Sequence, residues 1–328
     1  LADLLNRSPR EPDLRLTAKM IEGRRVLITG AGGTIGSELA RQIIRMNSGR
    51  LMLLDHSEAS LYQIDQELRA ASTDTTRVTP LLVDIKDRDM LEKVFDMYRP
   101  EVVFHAAAYK HVHLVESNSC ASILNNILGT RNLLSLSQMH EVENFVLIST
   151  DKAVNPVGVM GATKRVCELM VAQAGLSSGR SYCAVRFGNV LGSSGRLVPL
   201  LIQQIEAEQP ITITHPDMIR YFMLIPEAVS LVLRATSIAK PGDIAVLRMG
   251  DPVKIVDVAR NLLTLMGRTE TDNPLVFTGM RPGEKLFEEM YIQGNEILTD
   301  DPDVLIVPRG DSIQSNLNIN QCVEKILA

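Results

Sequence analysis

The sequence predicts an α/β fold with a doubly wound parallel sheet and a smaller C-terminal lobe, and two features of the pattern support this prediction. From Arg24 onward, short continuous apolar runs alternate with stretches of helical periodicity. Continuous apolar runs separated by helices are typical of parallel strands that are covered on both faces. After Asn189 the alternation breaks into shorter pieces divided by prolines, which indicates a second lobe.

Six strands and at least five helices are predicted before that change of pattern. The predicted strands are Val26–Thr29, Leu51–Leu54, Val78–Val83, Val102–His105, Phe145–Ser149 and Cys183–Phe187. The predicted helices include Ile35–Met46, Leu61–Ala71, Met90–Tyr98, Ile123–His140 and Val159–Ala174. We expect residues 1–23 to be a lead-in segment from a truncated longer chain and residues 24–188 to form the first domain. Residues 189–328 are expected to form mainly the second lobe, with strands that return to the main sheet.

The composition limits the classes of function that the chain can have. With 328 residues and 45% hydrophobic content, the chain is long enough to bury a large core. Its net charge of −5 and its lack of a basic stretch argue against a nucleic-acid surface. Four scattered cysteines without a CxxC pair favour a reducing compartment. The sequence contains no run of eighteen apolar residues, so no membrane span is predicted.

Three glycines, Gly30, Gly33 and Gly36, follow the first predicted strand and open the next helix in the stretch RVLITGAGGTIGSELARQI. Glycines at these positions allow a tight turn, and they let the backbone approach a pyrophosphate that lies on the helix N-terminus. Thr34 and Ile35 lie in the same turn and are also predicted to contact the cofactor. The pattern is typical of a Rossmann-like dinucleotide-binding domain.

Acidic and small residues follow the next three strands. Asp55 ends the second strand, 19 residues after the last glycine of the triad. A carboxylate there binds the adenosine ribose diol and repels a 2′-phosphate, so the predicted cofactor is NAD rather than NADP. Asp84 and Ile85 follow the third strand and are predicted to lie at the adenine. Ala106 and Ala107 follow the fourth strand and are small enough for the chain to pass close to the cofactor.

Two histidines near these alanines raise the question of a metal site. His111 and His113 stand two residues apart in HAAAYKHVHL. No acidic or cysteine partner stands nearby at the usual ligand spacing, so an ordinary loop is favoured over a metal site. No metal is therefore predicted.

Five motifs in order carry a resemblance to a known family. They are TGAGGTIGSE, HAAAYKHV, STDKAVNPVGVMGATKR, RFGNVLGSSG and RPGEKLFEE, which span about Arg24 to Glu289. Together they resemble the extended short-chain dehydrogenase/reductase family, and within it the bacterial UDP-N-acetylglucosamine 4,6-dehydratases of polysaccharide biosynthesis. In that family a tyrosine usually stands four residues before the catalytic lysine, where this chain has Met160. Members with methionine there resemble the membrane-anchored, C5-retaining group.

The resemblance implies a course of reaction and a cellular setting. NAD takes a hydride from C4 of the sugar, the 4-ketone acidifies the C5 proton, loss of the C6 hydroxyl gives an enone, and the hydride returns to C6. The full-length parent would be anchored at the cytoplasmic face of the bacterial inner membrane, with this fragment soluble. A homodimer or higher homo-oligomer would form through the helices Ile123–His140 and Val159–Ala174.

The residues themselves supply groups for this chemistry. Thr150, Asp151 and Lys152 stand at the carboxyl end of the fifth strand, where ligands bind in doubly wound sheets. Asp151 can protonate the leaving oxygen if its pKa is raised, and Lys152 can take the C5 proton if its pKa is lowered. Met160 and Lys164 lie four residues apart and share one helix face, where Lys164 can bond the nicotinamide ribose. Met160 cannot take the 4-hydroxyl proton, which leaves a bound water or a neighbouring charged group as the acceptor.

The C-terminal lobe is predicted to hold the UDP-N-acetylglucosamine. Asn189 would face a diphosphate, and Arg220 and Arg281 would pair with its oxygens, because a guanidinium matches phosphate geometry. Glu284 would bind the uridine ribose. The other predicted substrate-binding residues are Lys110, His111, Val198, and, through their backbone at the uracil edge, Thr212 and Thr214.

Two other functions fit parts of this pattern. A 4-epimerase on the same fold also borrows and returns a hydride, but it needs an acid/base at C4, which Met160 cannot supply, and it has no use for the TDK elimination groups. A non-catalytic NAD-binding protein would have no need of Lys164, Asp151 or the arginines. The sequence therefore favours a hydro-lyase, a nucleotide-sugar 4,6-dehydratase.

Overall fold

Nine strands form the main sheet of this computed structural model, which describes residues 12–71, 77–192, 197–292, 296–307 and 318–328. With the strands of three small two-stranded sheets included, the strands of the described residues are β1 (Arg25–Thr29), β2 (Arg50–Asp55), β3 (Arg77–Leu82), β4 (Val102–His105), β5 (Asn144–Ile148), β6 (Ser181–Arg186), β7 (Asn189–Leu191), β8 (Ile211–Ile213), β9 (Ile219–Arg220), β10 (Phe222–Leu224), β11 (Ile244–Leu247), β12 (Val253–Lys254), β13 (Leu275–Phe277), β14 (Ile297–Leu298) and β15 (Val304–Val307).

The order of the strands in the main sheet confirms the predicted fold class. Across the sheet they follow the order β14, β15, β11, β6, β5, β4, β1, β2, β3. All pairs from β11 to β3 are parallel, whereas β15 runs antiparallel to β11 and β14 runs antiparallel to β15. The chain proceeds outward from β1 to β3 and then resumes on the other side of β1 with β4. This reversal opens a crevice at the carboxyl ends of β1 and β4, which is where ligands bind in such sheets.

Helices connect the strands. They are α1 (Arg15–Ile21), α2 (Thr34–Ile44), α3 (Glu58–Ala71), α4 (Arg88–Tyr98), α5 (Val112–Ser117), α6 (Ser119–Ser122), α7 (Gly129–Met139), α8 (Val159–Ser178), α9 (Leu197–Glu206), α10 (Ile225–Thr236), α11 (Ile255–Leu265) and α12 (Ile319–Leu327). Local signals fix several of their ends: Asp87 caps α4 by accepting a bond from the Met90 amide, and Gly179, with a φ of +67°, ends α8. In the part of the chain that the structure describes, no helix is both long enough and apolar enough to cross a bilayer.

The six predicted strands are all present, and their ends differ from the prediction by no more than two residues. The predicted helix Ile123–His140 is wrong in its first part, because Ile123–Leu128 is π-helical and only the following α7 is an α-helix. The cause lies in the buried Asn126, whose side chain bonds the backbone N–H and carbonyl of Tyr109 and the hydroxyls of two neighbours. Such π segments are frequent at functional sites.

Two hydrophobic cores underlie the two parts of the chain. The larger one packs the main sheet against its helices and includes fully buried strand residues such as Ile28 and Phe104. The smaller one gathers apolar residues of α9, β8 and α11, for example Leu201, Ile211 and Leu262. Strands β11, β14 and β15 come from the C-terminal part of the chain but pair with the main sheet. The cavity described below lies where the two cores meet.

The C-terminal helix α12 packs on the helices next to the site. It contacts α8 and the π-helical segment Ile123–Leu128, with Ile319 and Val323 buried and an ion pair of 2.8 Å between Arg131 and Glu324. Part of the helical face that the family resemblance assigns to dimerisation is therefore covered within the chain. Dimerisation through these helices stays a prediction.

Candidate active site

A cavity of about 590 Å³ follows the carboxyl ends of the central strands and continues into the smaller lobe. It brings together nearly all the residues that the sequence assigned to a site. On the cofactor side its walls include Gly30, Gly33, Thr34, Ile35, Gly36, Asp55, Asp84, Ile85, Ala106, Ala107 and Lys164. On the other side they include Lys110, His111, Thr150, Lys152, Met160, Asn189, Val198, Thr212, Thr214, Arg220, Arg281 and Glu284. Asp151 is the exception: it is fully buried and lies behind this wall.

Gly30 and Gly36 of this turn pack so closely against neighbouring backbone that no side chain fits at their positions. Gly30 has a φ of +68°, and a Cβ atom built on it would lie 2.7 Å from the Ala107 nitrogen. A Cβ on Gly36 would collide with the carbonyl of Gly30. Gly33 is the N-cap of α2 and has no side chain to bond the first amides of the helix, and Gly33 and the first residues of α2 line the cavity. A cradle of this shape fits the pyrophosphate of a dinucleotide.

Asp55 is held rigidly at the end of β2. Its Oδ2 accepts a bond of 2.9 Å from the Gly32 amide, and its Oδ1 accepts one of 2.9 Å from the Ser57 amide. The side chain is buried but still lines the cavity. A carboxylate fixed in this way keeps acceptor capacity for the hydroxyls of a ligand.

The segment after β5 carries a short hydrogen-bonded acid–base pair. Asp151 and Lys152 begin a 3₁₀ turn that Thr150 caps. Asp151 Oδ1 accepts bonds from Thr150 Oγ1 at 2.7 Å, from the Lys152 amide at 2.9 Å and from Lys152 Nζ at 2.9 Å. The other oxygen, Oδ2, is buried and has no hydrogen-bond partner in the described part of the chain. A Cβ on Gly188 would lie 3.4 Å from this oxygen.

Met160 and Lys164 share one face of α8, as the spacing predicts, and both line the cavity. Lys164 Nζ donates to the carbonyl of Ile148 at 2.6 Å. Burial lowers the pKa of Lys164, and the neighbouring Cys167 and Glu168 oppose that shift. Met160 is almost completely buried. No proton-carrying side chain occupies its position.

His105 is bonded entirely within the protein and serves as a structural residue. His105 is buried, with Nδ1 at 2.8 Å from Thr29 Oγ1 and Nε2 at 2.9 Å from Thr130 Oγ1. Burial, helped by the charge of Lys164, lowers the pKa of His105 to about 3, so the ring stays neutral. The rings of His111 and His113 lie 6.4 Å apart, and among the described residues no three His, Cys, Asp or Glu side chains form a metal-binding group.

Glu288 is a site residue that the sequence analysis missed. It lines the cavity with a side chain that is only 2% exposed, and its Oε1 lies 3.6 Å from Lys152 Nζ. Arg220 NH2 lies 3.8 Å from the same oxygen. Glu288 and Met290 are buried while Phe287 and Glu289 between and beside them are exposed, and no motif within the sequence of this segment marks the glutamate as a site residue.

Several predicted substrate residues have partners within the protein. Arg220 donates to the carbonyls of Ile219 at 2.8 Å, Lys285 at 2.7 Å and Leu286 at 3.1 Å. It therefore anchors the segment that carries Glu288. A role for Arg220 toward phosphate stays a prediction.

The predicted uracil contacts lie at the end of β8. The Thr212 amide donates to Gln204 Oε1 at 3.1 Å, so this backbone donor is already occupied. Thr214 lies one residue past the end of β8, and its hydroxyl points to the sulfur of Met218 at 3.0 Å. Any contact of these two residues with a base stays a prediction.

Comparison with known proteins identifies similar chains. A family model described as polysaccharide biosynthesis protein matches residues 26–308. The chain is 48% identical over 296 residues to the capsular polysaccharide biosynthesis protein CapD of Staphylococcus aureus, which covers 90% of this chain and 49% of that protein. It is 48% identical over 295 residues to the probable polysaccharide biosynthesis protein EpsC of Bacillus subtilis, with 90% and 49% covered. The chain thus spans about half the length of these curated relatives.

Other similar proteins include an epimerase and solved structures. A UDP-glucose 4-epimerase of Rickettsia prowazekii is 31% identical, with 86% of this chain and 82% of the epimerase covered. The structure of Pen from Bacillus thuringiensis has a TM-score of 0.80 at 29% identity and covers 94% of this chain and 98% of Pen. DesIV, a dTDP-glucose 4,6-dehydratase of Streptomyces venezuelae solved with NAD, has a TM-score of 0.70 at 18% identity, with 81% and 87% covered, and shares the fold.

Proposed function

The chain belongs to the polysaccharide biosynthesis protein family, a group of extended short-chain dehydrogenases/reductases, and from that premise we propose that it catalyses the NAD-dependent 4,6-dehydration of UDP-N-acetylglucosamine. The product would be the UDP-4-keto-6-deoxy-N-acetylhexosamine with C5 retained. The observation that carries this proposal is the bonded Asp151–Lys152 pair at the cavity, beside a helix face where Met160 replaces a proton carrier. Elimination of water needs one acid and one base close together, and this pair offers both.

The cradle of β1 and α2 fits NAD. Its pyrophosphate would lie on the glycine turn, its adenosine ribose on Asp55 and its adenine near Asp84 and Ile85. Ala106 and Ala107 leave space beside it. When bound, NAD supplies the acceptor for the C4 hydride and gives that hydride back to C6.

Replacing Asp55 with alanine is expected to narrow the preference for NAD over NADP. NAD would bind more weakly, because the ribose loses a bond to a charged group worth about 1.5–3 kcal/mol. NADP would bind more tightly, since its 2′-phosphate is no longer repelled by a carboxylate. Calorimetry with both cofactors measures the two affinities, and Asp55→Asn, which keeps the size, separates lost charge from lost volume. Equal affinities of the intact protein for NAD and NADP would contradict the role of Asp55.

The residues after β5 divide the proton work between them. Thr150 lines the cavity and its hydroxyl is bonded to Asp151, so a proton leaving the 4-hydroxyl can pass through Thr150 Oγ1 to Asp151. Asp151 then returns that proton, by the same route or past Lys152, to the departing C6 hydroxyl. Lys152, as a neutral amine, takes the C5 proton and later gives it back to C5. The proton count closes, because the proton lost from the 4-hydroxyl leaves in the water.

Lys164 and the smaller lobe position the reactants. Lys164 brings a positive charge to the nicotinamide ribose and toward the C4 oxygen, while Met160 packs against the bound rings. Asn189, Arg281 and Glu284 would hold the UDP group from the other side. The full-length parent is proposed to be membrane-anchored and oligomeric.

A 4-epimerase is the second candidate, because the Rickettsia prowazekii relative carries that name. The two reactions differ in where the C4 hydrogen ends. With UDP-N-acetylglucosamine deuterated at C4, we expect the label at C6 of a 4-keto product, without build-up of reduced cofactor and without added oxidant. Sugar NMR of the product distinguishes the reactions: label retained at C4 of an epimer indicates an epimerase, and an unchanged sugar indicates a binding protein.

A further inference from the structure

Glu288 is a buried carboxyl group for which the chemistry above has no role. Of its two oxygens, Oε1 faces Lys152 Nζ at 3.6 Å and Arg220 NH2 at 3.8 Å. Oε2 is buried, and the described residues place no hydrogen-bond donor next to it. An unpartnered oxygen of a charged carboxylate inside a protein costs more free energy than one of a neutral, protonated carboxyl. The Glu288 carboxyl can therefore hold a proton in addition to those carried by Asp151 and Lys152.

Lys152 lies between two carboxyl groups of different surroundings. Asp151 is bonded to its Nζ at 2.9 Å and also receives bonds from Thr150 and from the Lys152 amide. Glu288 accepts no hydrogen bond from Thr150 or from the Lys152 amide. An ordinary lysine side chain is an ammonium ion at neutral pH, and an ammonium ion cannot remove a proton from carbon. For Lys152 to act as a base, one proton must leave Nζ and remain nearby.

The smaller lobe brings Glu288 to this position through several contacts. Arg220 binds the carbonyls of Lys285 and Leu286, and Lys285 Nζ donates to the carbonyl of Val154 at 2.9 Å. Asn155 Nδ2 donates to Glu289 Oε2 at 3.2 Å. The segment that carries Glu288 is thus tied to the turn that carries Lys152. The short distance between Glu288 and Lys152 is therefore maintained by contacts from both segments.

We propose that Glu288 is the positioning residue that takes up the proton of Lys152, so that the lysine enters the reaction as a neutral amine. The inference rests on the proposed dehydratase function and adds a residue to it. In this step an N–H bond of the Lys152 ammonium breaks and an O–H bond of Glu288 forms. Both groups become uncharged, and no other reactant is required. Asp151 stays free to carry the 4-hydroxyl proton.

The charges around Glu288 agree with this direction. Burial raises the pKa of Glu288, the ammonium of Lys152 opposes that rise, and the carboxylate of Asp151 adds to it. Arg220 and Lys285, which face the same carboxyl group, also act to lower its pKa. The net effect is a raised pKa, which favours the protonated carboxyl.

The protonation of Lys152 can be measured without any substrate. Only a neutral amine reacts with an acetylating reagent, so mass spectrometry of briefly acetylated protein reports the neutral fraction of each lysine. Between about pH 7 and pH 9 we expect the rate at Lys152 to be nearly constant, because the proton moves within the pair. Free Nα-acetyl-lysine added to the same reaction is the reference, and its rate should rise about tenfold per pH unit over this range, because a model lysine amine has a pKa of about 10.4. A Lys152 rate that rises in parallel with that of the free amino acid would overturn the proposal.

Glu288→Gln keeps the size of the side chain and removes the proton acceptor. At pH 7 we expect the acetylation rate of Lys152 and kcat each to fall at least about tenfold, while KM stays unchanged. As the pH rises, the acetylation rate and kcat should recover by about tenfold per pH unit. Glu288→Asp retains an acceptor and should keep a pH-independent rate. Glu22→Gln, at an exposed glutamate that does not line the cavity, is the control and should change neither the rate nor its pH dependence. A loss in Glu288→Gln that is the same at every pH would mean a purely structural role.

These measurements separate the two proposals. If the intact protein does not dehydrate UDP-N-acetylglucosamine, the proposed function fails, and the acetylation of Lys152 still decides whether Glu288 holds its proton. If dehydration is observed but Lys152 reacts at equal rates with and without Glu288, the function stands and the role of Glu288 is wrong.

Discussion

Lys152→Ala is expected to stop exchange of solvent deuterium into C5 and to lower the rate of dehydration by about 10²–10⁴. The reason is that Lys152 Nζ is the amine bonded to Asp151 in the described part of the chain, whereas Lys164 Nζ is bonded to the carbonyl of Ile148. The 4-hydroxyl can still lose its proton to Asp151, so a 4-keto sugar should collect at the enzyme without deuterium at C5. NMR in deuterated water measures both quantities.

Two variants serve as controls for Lys152→Ala. Lys152→Arg keeps a nitrogen donor next to Asp151 but supplies no base, and it should be as slow as the alanine variant. Met160→Leu conserves volume at a buried position, and such swaps usually cost less than about 1.5 kcal/mol of stability. It should therefore retain most of the activity. If Met160→Leu is as slow as Lys152→Ala while the fold and cofactor binding are intact, the assignment of roles to these residues is wrong.

Asp151→Asn is expected to stall the reaction one step earlier, with a similar loss of about 10²–10⁴ in rate. The amide oxygen can still accept the bonds that reach Oδ1, but the side chain can no longer carry a proton. Neither release of the C6 hydroxyl nor efficient loss of the 4-hydroxyl proton should then occur. Rapid-quench analysis of the bound sugar should find mostly unchanged substrate.

The comparison of the two variants tests the order of events. Lys152→Ala should accumulate a 4-keto sugar, and Asp151→Asn should not. Thr150→Val, which removes the hydroxyl between Asp151 and the cavity, should stall at the same step as Asp151→Asn. A 4-keto sugar that exchanges at C5 in Asp151→Asn would mean that another group accepts the 4-hydroxyl proton.

The features that could be predicted from the sequence are those set by neighbouring residues in the chain. Continuous apolar runs fixed the six central strands, and the glycines after β1 had to lie next to the helix that they open. Asp55 follows β2 directly, so its place at the crevice follows from the rule that strand ends gather there. Met160 and Lys164 share a face because helical spacing requires it.

The features that could not be predicted depend on contacts between distant parts of the chain. Glu288 is buried because Arg220 and Lys285 tie its segment to the other lobe. The motif RPGEKLFEE alone does not predict this contact between the lobes. Asp151 lies behind the cavity wall because Lys152 and Thr150 both turn toward it. The π-helical turn at Asn126 arises from bonds to Tyr109, which stands far from the turn in sequence.

The order of the strands also has a consequence for the way each molecule is made. Strands β1 to β6 lie within residues 25–186, whereas β11 and β15, which extend the same sheet, come after residue 243. Because synthesis proceeds from the N-terminus and domains tend to fold as they emerge, the glycine cradle can form on a nascent chain. The cluster of Asp151, Lys152 and Glu288 cannot be complete until residue 288 has left the ribosome. Within residues 25–307, the cofactor cradle is thus made before the proton-handling centre, which is assembled only after the segment around residue 288 has emerged.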